Sequence, residues 1–244
     1  MKLDVLGVIP ARLASARLPR KVLREIAGRP MIAHVYERAR RASHLTDLLV
    51  ATDSDEVIEV CRRLHIPAVL TSPEHPSGTD RVWEVAQGRA ADVYVNIQGD
   101  EPLIAPGHIE RLVVPFLHRP ETQVSTLCIR ATEAELADPN VNKVVRDATG
   151  RALYFSKYPI PYDRDGIQPA RFKHIGLYAY HFHALDAFHR LPPSSLERAE
   201  RLEQLRFLEN GVPIVVMETN EPTIGVDTED DLRAVEAWLA SGRA

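Results

Sequence analysis

Basic side chains are concentrated in a loop near the N-terminus. The loop at residues 10–21 reads Pro-Ala-Arg-Leu-Ala-Ser-Ala-Arg-Leu-Pro-Arg-Lys and directly follows a short apolar run that is typical of a buried strand. Where a buried parallel strand ends, the backbone turns outward, so Arg12, Arg17 and Lys21 can converge on one anion. Arginine offers forked donors to phosphate oxygens, and lysine offers a compact charge. The loop therefore predicts a polyphosphate site, and a solvated basic surface loop is the alternative.

Two aspartates follow other predicted strands. Asp100 lies in the sequence Gln-Gly-Asp-Glu-Pro at residues 98–102, and Asp227 lies between the last predicted strand and the last predicted helix. Because the carboxyl ends of parallel strands meet at one edge of a sheet, both carboxylates are expected beside the basic loop. Mg²⁺ prefers a few carboxylates together with substrate phosphate oxygens. The pair predicts a magnesium site; a turn-forming role for Asp100 and a helix N-cap at Asp227 are the alternatives.

The Ser-Gly-Thr-Asp-Arg motif at residues 77–81 lies between a predicted strand and a predicted helix. Ser77 and the backbone at Gly78 can hydrogen-bond a base or a ribose, and Arg81 can either reach a phosphate or brace the loop. An ordinary loop that ends in a helix cap at Thr79 is the alternative. The motif adds a candidate nucleotide contact to the basic loop.

Two other motifs match metal sites only in part. The run Asp53, Ser54, Asp55 fits the Asp-x-Asp pattern of metal-dependent glycosyltransferases, but it opens a predicted helix, which favours capping. His181 and His183 have no third ligand near them in the sequence, so a structural role is favoured. The sequence contains no Walker loop, Gly-x-Gly-x-x-Gly turn or nucleophile elbow.

Composition indicates a globular enzyme. The chain has 244 residues, 45% of them hydrophobic, and a formal net charge of −4, so a sizeable core is possible and no global attraction to nucleic acid or to an anionic membrane is expected. No apolar stretch approaches the roughly twenty residues that span a bilayer. Cys61 and Cys128 fit neither a disulfide framework nor a zinc site. We expect a cytoplasmic enzyme that binds no nucleic acid and no membrane.

Predicted strands and helices alternate over the first half of the chain. This alternation predicts an α/β fold, with a Rossmann-like, mostly parallel sheet flanked by helices. Between about residues 123 and 181 the pattern changes to strands of mixed polarity, which we interpret as an inserted antiparallel section at a dimer interface. Helices and strands then alternate again, with a helix predicted over 196–210, a strand over 213–217 and a helix over 228–239. A single domain over residues 1–244 is expected.

Seven motifs occur in one order along the chain, at residues 9–19, 77–81, 96–102, 152–156, 174–178, 202–206 and 225–228. Together they resemble the motifs of the 3-deoxy-manno-octulosonate cytidylyltransferases, the CMP-Kdo synthetases. The resemblance runs nearly from end to end. It implies a cytosolic, Mg²⁺-dependent homodimer that makes CMP-Kdo and pyrophosphate from CTP and Kdo, for lipopolysaccharide synthesis.

The resemblance also implies roles for individual residues. Those expected in catalysis are Arg12 and Lys21, which bind the triphosphate, and Asp100 and Asp227, which bind the metal. Those implied around the nucleotide are Ala11, Arg12, Ser15, Lys21, Ser77, Gly78, Arg81 and Asp100. Those implied around the sugar are Gln98, Arg164, His174, Tyr178, Glu203 and Gln204.

The basic loop departs from the pattern of this family at four positions. Arg20 and Val22 stand where glycine and proline are usual, and Leu13 and Ala16 replace a commoner tyrosine and threonine. The cations and carboxylates of the motifs are all retained. The departures therefore bear on how the loop closes.

Three other functions stay open from the sequence. One alternative is a related cytidylyltransferase that activates 8-amino-Kdo or a sialic acid. The motifs near the nucleotide do not separate these acceptors, because the acceptor pocket decides which sugar is bound. A glycosyltransferase that consumes a nucleotide sugar is supported only by Asp53 and Asp55. A nucleotide-sensing binding protein would have little need of both Asp100 and Asp227.

Overall fold

The computed structural model describes residues 3–15 and 17–241. The chain folds into two compact units. The first unit comprises the residues up to Glu110 and those from Thr223 onwards, and the second comprises Arg111–Pro222. Ala16, one of the departures in the basic loop, lies outside the described residues. The single domain expected over residues 1–244 stays a prediction.

A parallel sheet forms the centre of the first unit. The strands of this unit are β1 (Val5–Pro10), β2 (Glu25–Ile26), β3 (Arg29–Pro30), β4 (Asp47–Thr52), β5 (Ala68–Leu70) and β6 (Val93–Asn96). The sheet has the order β6, β1, β4, β5, and every neighbouring pair is parallel. β1 and β6 are almost entirely buried, which explains their largely apolar sequences. β2 and β3 form a separate hairpin after the basic loop.

Helices connect the parallel strands. In chain order the helices are α1 (Met31–Ala39), α2 (Asp55–Arg63), α3 (Gly78–Gly88), α4 (Pro106–His118), α5 (Glu133–Ala137), α6 (Phe182–Arg190), α7 (Ser195–Glu200), α8 (Leu205–Glu209) and α9 (Glu229–Ala240), with a 3-10 helix at Lys21–Leu23. The chain passes from β1 to β4 and β5 on one side and returns through α3 to β6 on the other side of β1. The carboxyl ends of β1 and β6 therefore flank the point where the strand order reverses, which is where open α/β sheets bind ligands.

The second unit contains mostly antiparallel strands. They are β7 (Val124–Arg130), β8 (Lys143–Arg146), β9 (Ala152–Ser156), β10 (Phe172–Tyr180) and β11 (Ile214–Glu218). β11 is parallel to β7, whereas β7 with β10, β10 with β8, and β8 with β9 are antiparallel pairs. The pairing of β10 with β7 shifts register between Ile175 and Tyr178, so β10 is irregular there. The predicted antiparallel strands are confirmed.

One predicted helix of the second unit is two helices. The prediction of a continuous helix over residues 196–210 is wrong, because α7 and α8 are separate. Between them Arg201 has φ 56 and ψ 46, a left-handed conformation that ends a helix. Leu202 and Leu205 are both buried, so the apolar spacing continues across the break and conceals it in the sequence.

The fold class predicted from the sequence is confirmed. The protein is an α/β protein with a mostly parallel sheet flanked by helices, and it also contains antiparallel strands. Within residues 3–15 and 17–241, no helix has the length and apolar character needed to cross a membrane.

Replacement of Gly99 by alanine is expected to disturb the ends of β1 and β6. A Cβ at residue 99 would lie 2.6 Å from the backbone oxygen of Pro10, which cannot swing away. We expect Gly99→Ala to lower the free energy of unfolding in urea by about 1–3 kcal/mol. Gly88→Ala is the control and should leave the protein at least as stable, because a Cβ there meets nothing within 4 Å. Equal stability of Gly99→Ala and the wild type would contradict this close approach.

Candidate active site

The basic loop is anchored to the first unit at both ends. Ala11 donates its backbone N–H to the Ala51 carbonyl oxygen at 2.8 Å, which extends the pairing of β1 with β4. Leu18 is buried in an apolar cluster that includes Ile26. Lys21 then begins the 3-10 helix. The loop thus leaves the sheet, returns to the core at Leu18 and places Lys21 in a defined turn.

Lys21 joins the two aspartates that were expected to meet. Its Nζ lies 2.5 Å from Asp100 Oδ2 and 3.0 Å from Asp227 Oδ1. The two acidic segments also contact each other, because the Val226 N–H donates to the Asp100 carbonyl oxygen at 2.8 Å. Arg17 forms a further ion pair with Asp227, with 2.9 Å between Nη2 and Oδ1. Two carboxylates and two cations therefore meet beyond the ends of β1 and β6.

Burial and neighbouring charges set the protonation of this cluster. Burial of Lys21 alone would lower its pKa, but the Asp100 and Asp227 carboxylates outweigh burial and raise the pKa above its ordinary value. Lys21 is therefore an ammonium ion at neutral pH. Burial, together with the charge of Asp100, raises the pKa of Glu101 to about 7, although a hydrogen bond from Thr223 Oγ1 at 2.9 Å opposes the increase.

The remaining polar residues of the loop lie nearer to solvent. Arg12 is exposed and forms no ion pair with any residue that the structure describes, and Ser15 is half-buried. Arg20 has φ 58 and ψ 32, a conformation that favours the glycine usual in the family pattern. Its guanidinium pairs with Glu56. The departure at Arg20 therefore retains a left-handed turn and adds a surface ion pair.

Ser77, not Thr79, caps the start of α3. Ser77 Oγ accepts the Asp80 N–H at 3.1 Å and donates to Asp80 Oδ2 at 2.7 Å. The alternative of a helix cap at Thr79 is wrong in its position, because Ser77 has the extended backbone of a cap and precedes the first turn. A Cβ on Gly78 would lie 3.5 Å from the Pro10 side chain, so the backbone at Gly78 lies beside the start of the basic loop.

Arg81 is buried and braces two loops. Its Nη2 lies 2.9 Å from Asp53 Oδ2, and its Nη1 contacts Thr71 Oγ1. The other Asp53 carboxylate oxygen accepts the Leu13 N–H at 3.2 Å. The contacts therefore run from Arg81 through Asp53 to the backbone of the basic loop. Of the two roles that the sequence allowed for Arg81, these contacts favour bracing of the loop over binding of a phosphate.

Asp53 is a site residue that sequence reasoning missed. The sequence favoured capping, but the N-cap of α2 is Ser54, and no side-chain cap bond is formed there. The available signal was that Asp53 follows β4 directly, as the basic loop follows β1, and β4 is paired with β1. Because Asp53 is engaged by Arg81 and the loop backbone, the Asp-x-Asp argument for a glycosyltransferase loses its support.

Five of the six residues assigned to the sugar lie in the second unit, and four of these five are on β10 or next to α8. His174 and Tyr178 are on β10, with ring centroids 5.5 Å apart. Glu203 is close enough to Tyr178 for its charge to act on the pKa of that phenol. Gln204 is buried at the start of α8. Three of these side chains thus form one group, and Gln204 follows Glu203 directly in the chain.

Arg164 and Gln98 complete the set assigned to the sugar. Arg164 is exposed in the segment between β9 and β10. Gln98 belongs to the first unit, where it follows β6 and is half-buried. Its carbonyl oxygen accepts the Glu101 N–H at 3.2 Å, which shapes the turn that carries Asp100.

Two buried polar atoms of the sugar set have no hydrogen-bond partner within the described residues, namely His174 Nδ1 and Gln204 Nε2. An unpaired buried polar atom costs about 1–3 kcal/mol, so such atoms mark positions where a ligand can supply the missing bond. Burial lowers the pKa of His174 to about 3, and burial with the nearby Tyr180 and Glu203 raises that of Tyr178. Both side chains are therefore neutral at neutral pH.

Comparison with known proteins identifies the class. The sequence model of the family described as "Cytidylyltransferase" matches residues 6–218. The chain therefore belongs to the cytidylyltransferases. A glucose-1-phosphate thymidylyltransferase structure from Bacillus anthracis has a TM-score of 0.69 at 17% identity, covering 96% of this chain and 95% of that one, so it shares the fold.

Closer relatives identify the family within this class. The chain is 58% identical to 3-deoxy-manno-octulosonate cytidylyltransferase of Acidobacterium capsulatum, covering 97% of both chains. It is 59% identical to the enzyme of the same name from Koribacter versatilis, covering 97% of this chain and 90% of that one. A solved CMP:2-keto-3-deoxy-manno-octonic acid synthetase complexed with CTP has a TM-score of 0.95 at 42% identity, with 98% and 99% coverage. The chain is a member of the 3-deoxy-manno-octulosonate cytidylyltransferase family.

Removal of the Asp53 carboxylate is expected to leave the Arg81 charge buried without its partner. The side chains of Arg81 and Asp53 are only 4% and 16% exposed. We expect Asp53→Ala to lower the free energy of unfolding in urea by about 3 kcal/mol, as for other broken buried ion pairs. Glu59→Ala is the control, because Glu59 pairs with Arg62 on the surface of α2 and should matter little. If Asp53→Ala and Glu59→Ala lost equally little free energy of unfolding, Asp53 would not brace the basic loop through Arg81.

Proposed function

We propose that this protein transfers a cytidylyl group from CTP to Kdo, forming CMP-Kdo and pyrophosphate for lipopolysaccharide synthesis. The observation that carries the proposal is the cluster of Arg17, Lys21, Asp100 and Asp227 at the reversal point of the parallel sheet. The names of the close relatives, and the CTP bound in the similar solved synthetase, support the choice of nucleotide and acceptor.

The reaction is a displacement at phosphorus. A hydroxyl oxygen of the sugar forms a bond to the α-phosphorus of CTP and gives its proton to solvent water, while the bond from the α-phosphorus to the bridging oxygen breaks and pyrophosphate leaves with that electron pair. Such reactions depend mainly on positioning and on stabilisation of phosphoryl charge. Arg12 and Lys21 would bind the triphosphate and stabilise the departing pyrophosphate. The proposed contacts to the rest of the nucleotide are Ala11, Ser15, Ser77 and Gly78, with Arg81 bracing the loop.

Asp100 and Asp227 fit the requirements of a Mg²⁺ site. One oxygen from each contacts a single positive atom, Lys21 Nζ, so both carboxylates can approach one cation. Magnesium favours such oxygens and completes its coordination with water and substrate phosphates. We propose that Asp100 and Asp227 hold Mg²⁺ together with CTP. When bound, the ion would polarise the phosphoryl group and lower the pKa of the attacking hydroxyl.

Lys21 would exchange one set of anionic partners for another. Its ammonium is paired with two carboxylates, and a triphosphate beside Arg17 and Lys21 offers both cations a higher negative charge. Transfer of these cations to the phosphates releases the oxygens of Asp100 and Asp227. The exchange keeps every charge in the cluster compensated.

The acceptor sugar would bind to the group on β10 and at the start of α8. A polyhydroxylated acid carries both donors and acceptors, which suit the unpaired atoms of His174 and Gln204. The exposed cation Arg164 suits a carboxylate. The proposed sugar contacts are Gln98, Arg164, His174, Tyr178, Glu203 and Gln204.

We also propose that the protein acts as a homodimer in the cytoplasm, where CTP is made. Several large apolar side chains of the second unit are exposed, namely Leu153 at 62%, Tyr158 at 77%, Tyr162 at 85% and Ile167 at 79%. These four side chains lie within residues 153–167, and contiguous exposed apolar groups are typical of interaction surfaces. They support a second copy of the chain packing against the second unit.

Incubation with CTP, Mg²⁺ and Kdo tests the proposed function. We expect formation of CMP-Kdo and release of pyrophosphate, both of which stop when EDTA removes the metal. Parallel incubations with 8-amino-Kdo and with a sialic acid distinguish the related acceptors. If no acceptor caused release of pyrophosphate from CTP, the proposal would be overturned.

Asp100→Asn is expected to reduce turnover far more than it weakens CTP binding. The variant keeps the size of the side chain but removes the charge that faces the cation and the phosphoryl group. We expect kcat to fall on the order of 10²-fold or more, as when other groups that stabilise transition-state charge are removed, with a smaller change in KM for CTP. Asp230→Asn, an exposed carboxylate on α9, is the control. A kcat for Asp100→Asn within a few-fold of the wild type would exclude the metal role.

Lys21→Met is expected to strengthen metal binding when no CTP is present. A unit positive charge about 4 Å from a divalent metal costs on the order of 8 kcal/mol at an effective dielectric constant of 20, so its removal should tighten Mn²⁺ binding at least about tenfold. Electron paramagnetic resonance of free Mn²⁺ measures this affinity without turnover. Arg24→Met, which removes the partner of Glu229, controls for net charge. Equal Mn²⁺ affinity in Lys21→Met and the wild type would show that Lys21 does not compete for these carboxylates.

A further inference from the structure

The Thr126 hydroxyl lies among four polar groups of β10. Thr126 is fully buried on β7, opposite the irregular part of β10. Its Oγ1 lies 2.8 Å from the Leu177 carbonyl oxygen, 3.3 Å from the Ile175 carbonyl oxygen and 2.9 Å from His174 Nε2. The Tyr178 hydroxyl also interacts with it.

The proton balance at Thr126 decides which nitrogen of His174 carries hydrogen. A threonine hydroxyl has one proton and two lone pairs, and a carbonyl oxygen can only accept. The Thr126 proton must therefore be directed to the Leu177 carbonyl oxygen. Its lone pairs are then left for donors, so His174 Nε2 carries the hydrogen and donates it to Thr126 Oγ1.

The second ring nitrogen of His174 is consequently a bare acceptor. A neutral imidazole carries one hydrogen, and burial keeps His174 neutral by lowering its pKa to about 3. With the hydrogen on Nε2, Nδ1 presents a lone pair. Nδ1 is closed to solvent and has no partner within the described residues.

Aromatic side chains hold the His174 ring in this orientation. The Phe155 and His174 rings pack edge to face, with centroids 4.9 Å apart and planes at 74°, and the centroid of the Tyr178 ring lies 5.5 Å from that of His174. Neither aromatic ring donates a hydrogen bond to Nδ1, which has no partner within the described residues. A ligand group that satisfies Nδ1 must therefore donate a hydrogen bond.

We infer that Thr126 is a positioning residue that sets the tautomer of His174, so that Nδ1 accepts a hydrogen bond from a hydroxyl of the acceptor sugar. The inference rests on the proposed function in one respect, the assignment of His174 to the sugar. It also restricts what His174 recognises. A sugar hydroxyl can donate to Nδ1, whereas an ionised carboxylate is an acceptor only and would face a like lone pair.

Nitrogen-15 NMR of the ligand-free protein tests the tautomer directly. The His174→Asn spectrum identifies the resonances of this ring. We expect the wild type to show hydrogen on Nε2 and a bare Nδ1, and Thr126→Ser to show the same, because serine retains the hydroxyl. Thr126→Val removes the acceptor and should populate the other tautomer. A wild-type ring with hydrogen on Nδ1 would overturn the inference without recourse to any variant.

Addition of Kdo to the same samples tests the ligand contact. We expect the Nδ1 resonance of the wild type to move upfield, as it does when this lone pair accepts a hydrogen bond, and to move little in Thr126→Val. Thr122→Val is the matched control, because Thr122 is a buried threonine whose hydroxyl bonds the Pro115 carbonyl oxygen instead. A wild-type Nδ1 resonance that is unchanged at saturating Kdo would overturn the proposed contact.

Steady-state kinetics separate positioning from general damage to the fold. The loss of one hydrogen bond to the sugar should raise KM for Kdo roughly threefold to tenfold in Thr126→Val. KM for CTP should stay near the wild-type value, and Thr126→Ser and Thr122→Val should behave as the wild type. Equal increases in both KM values would overturn the positioning role. If the wild type released no pyrophosphate with Kdo, the proposed function would fail, while the ligand-free NMR spectrum would still decide the role of Thr126.

Discussion

The pairing of Lys21 with Asp100 and Asp227 is the interaction on which the rest of the site depends. Lys21 is 79 residues from Asp100 and 206 residues from Asp227, so the three side chains meet only when the parallel sheet and the segment before α9 are in place. Each charge in such a cluster needs the others, because removal of one leaves its partner uncompensated. Under the proposed function, the same mutual dependence would allow the partners to be exchanged for phosphate and metal without an unpaired charge.

In each unit, a polar residue that the sequence did not assign to the site supports a residue that the sequence did assign to it. In the first unit Asp53 links the buried Arg81 to the backbone of the basic loop. In the second unit Thr126 links β7 to the His174 ring. Both supports bury polar groups, which is favourable only when every donor and acceptor is paired. Each support therefore favours one arrangement of its neighbour, Arg81 or His174, and such rigidity is what positioning of substrates requires.

Much of the parallel unit could be predicted from the sequence, because apolar periodicity and the order of motifs act locally. The basic loop and Asp100 were assigned correctly to the ends of neighbouring strands for that reason. The break at Arg201 could not be predicted, since apolar residues keep their spacing on both sides of it. The contact of Asp53 with the loop depends on the pairing of β4 with β1, and the tautomer of His174 depends on the irregular part of β10. For Asp53 the only signal was its place directly after β4, and the tautomer of His174 has no local sequence signal.

The most direct test is a crystal structure of the protein with CTP and Mn²⁺, in which anomalous scattering locates the metal. The account predicts an ion bound to one oxygen of Asp100 and one of Asp227, with Lys21 Nζ within hydrogen-bond distance of a phosphate oxygen. A structure in which CTP is bound while Lys21 still pairs with both aspartates, and the ion lies elsewhere, would contradict it.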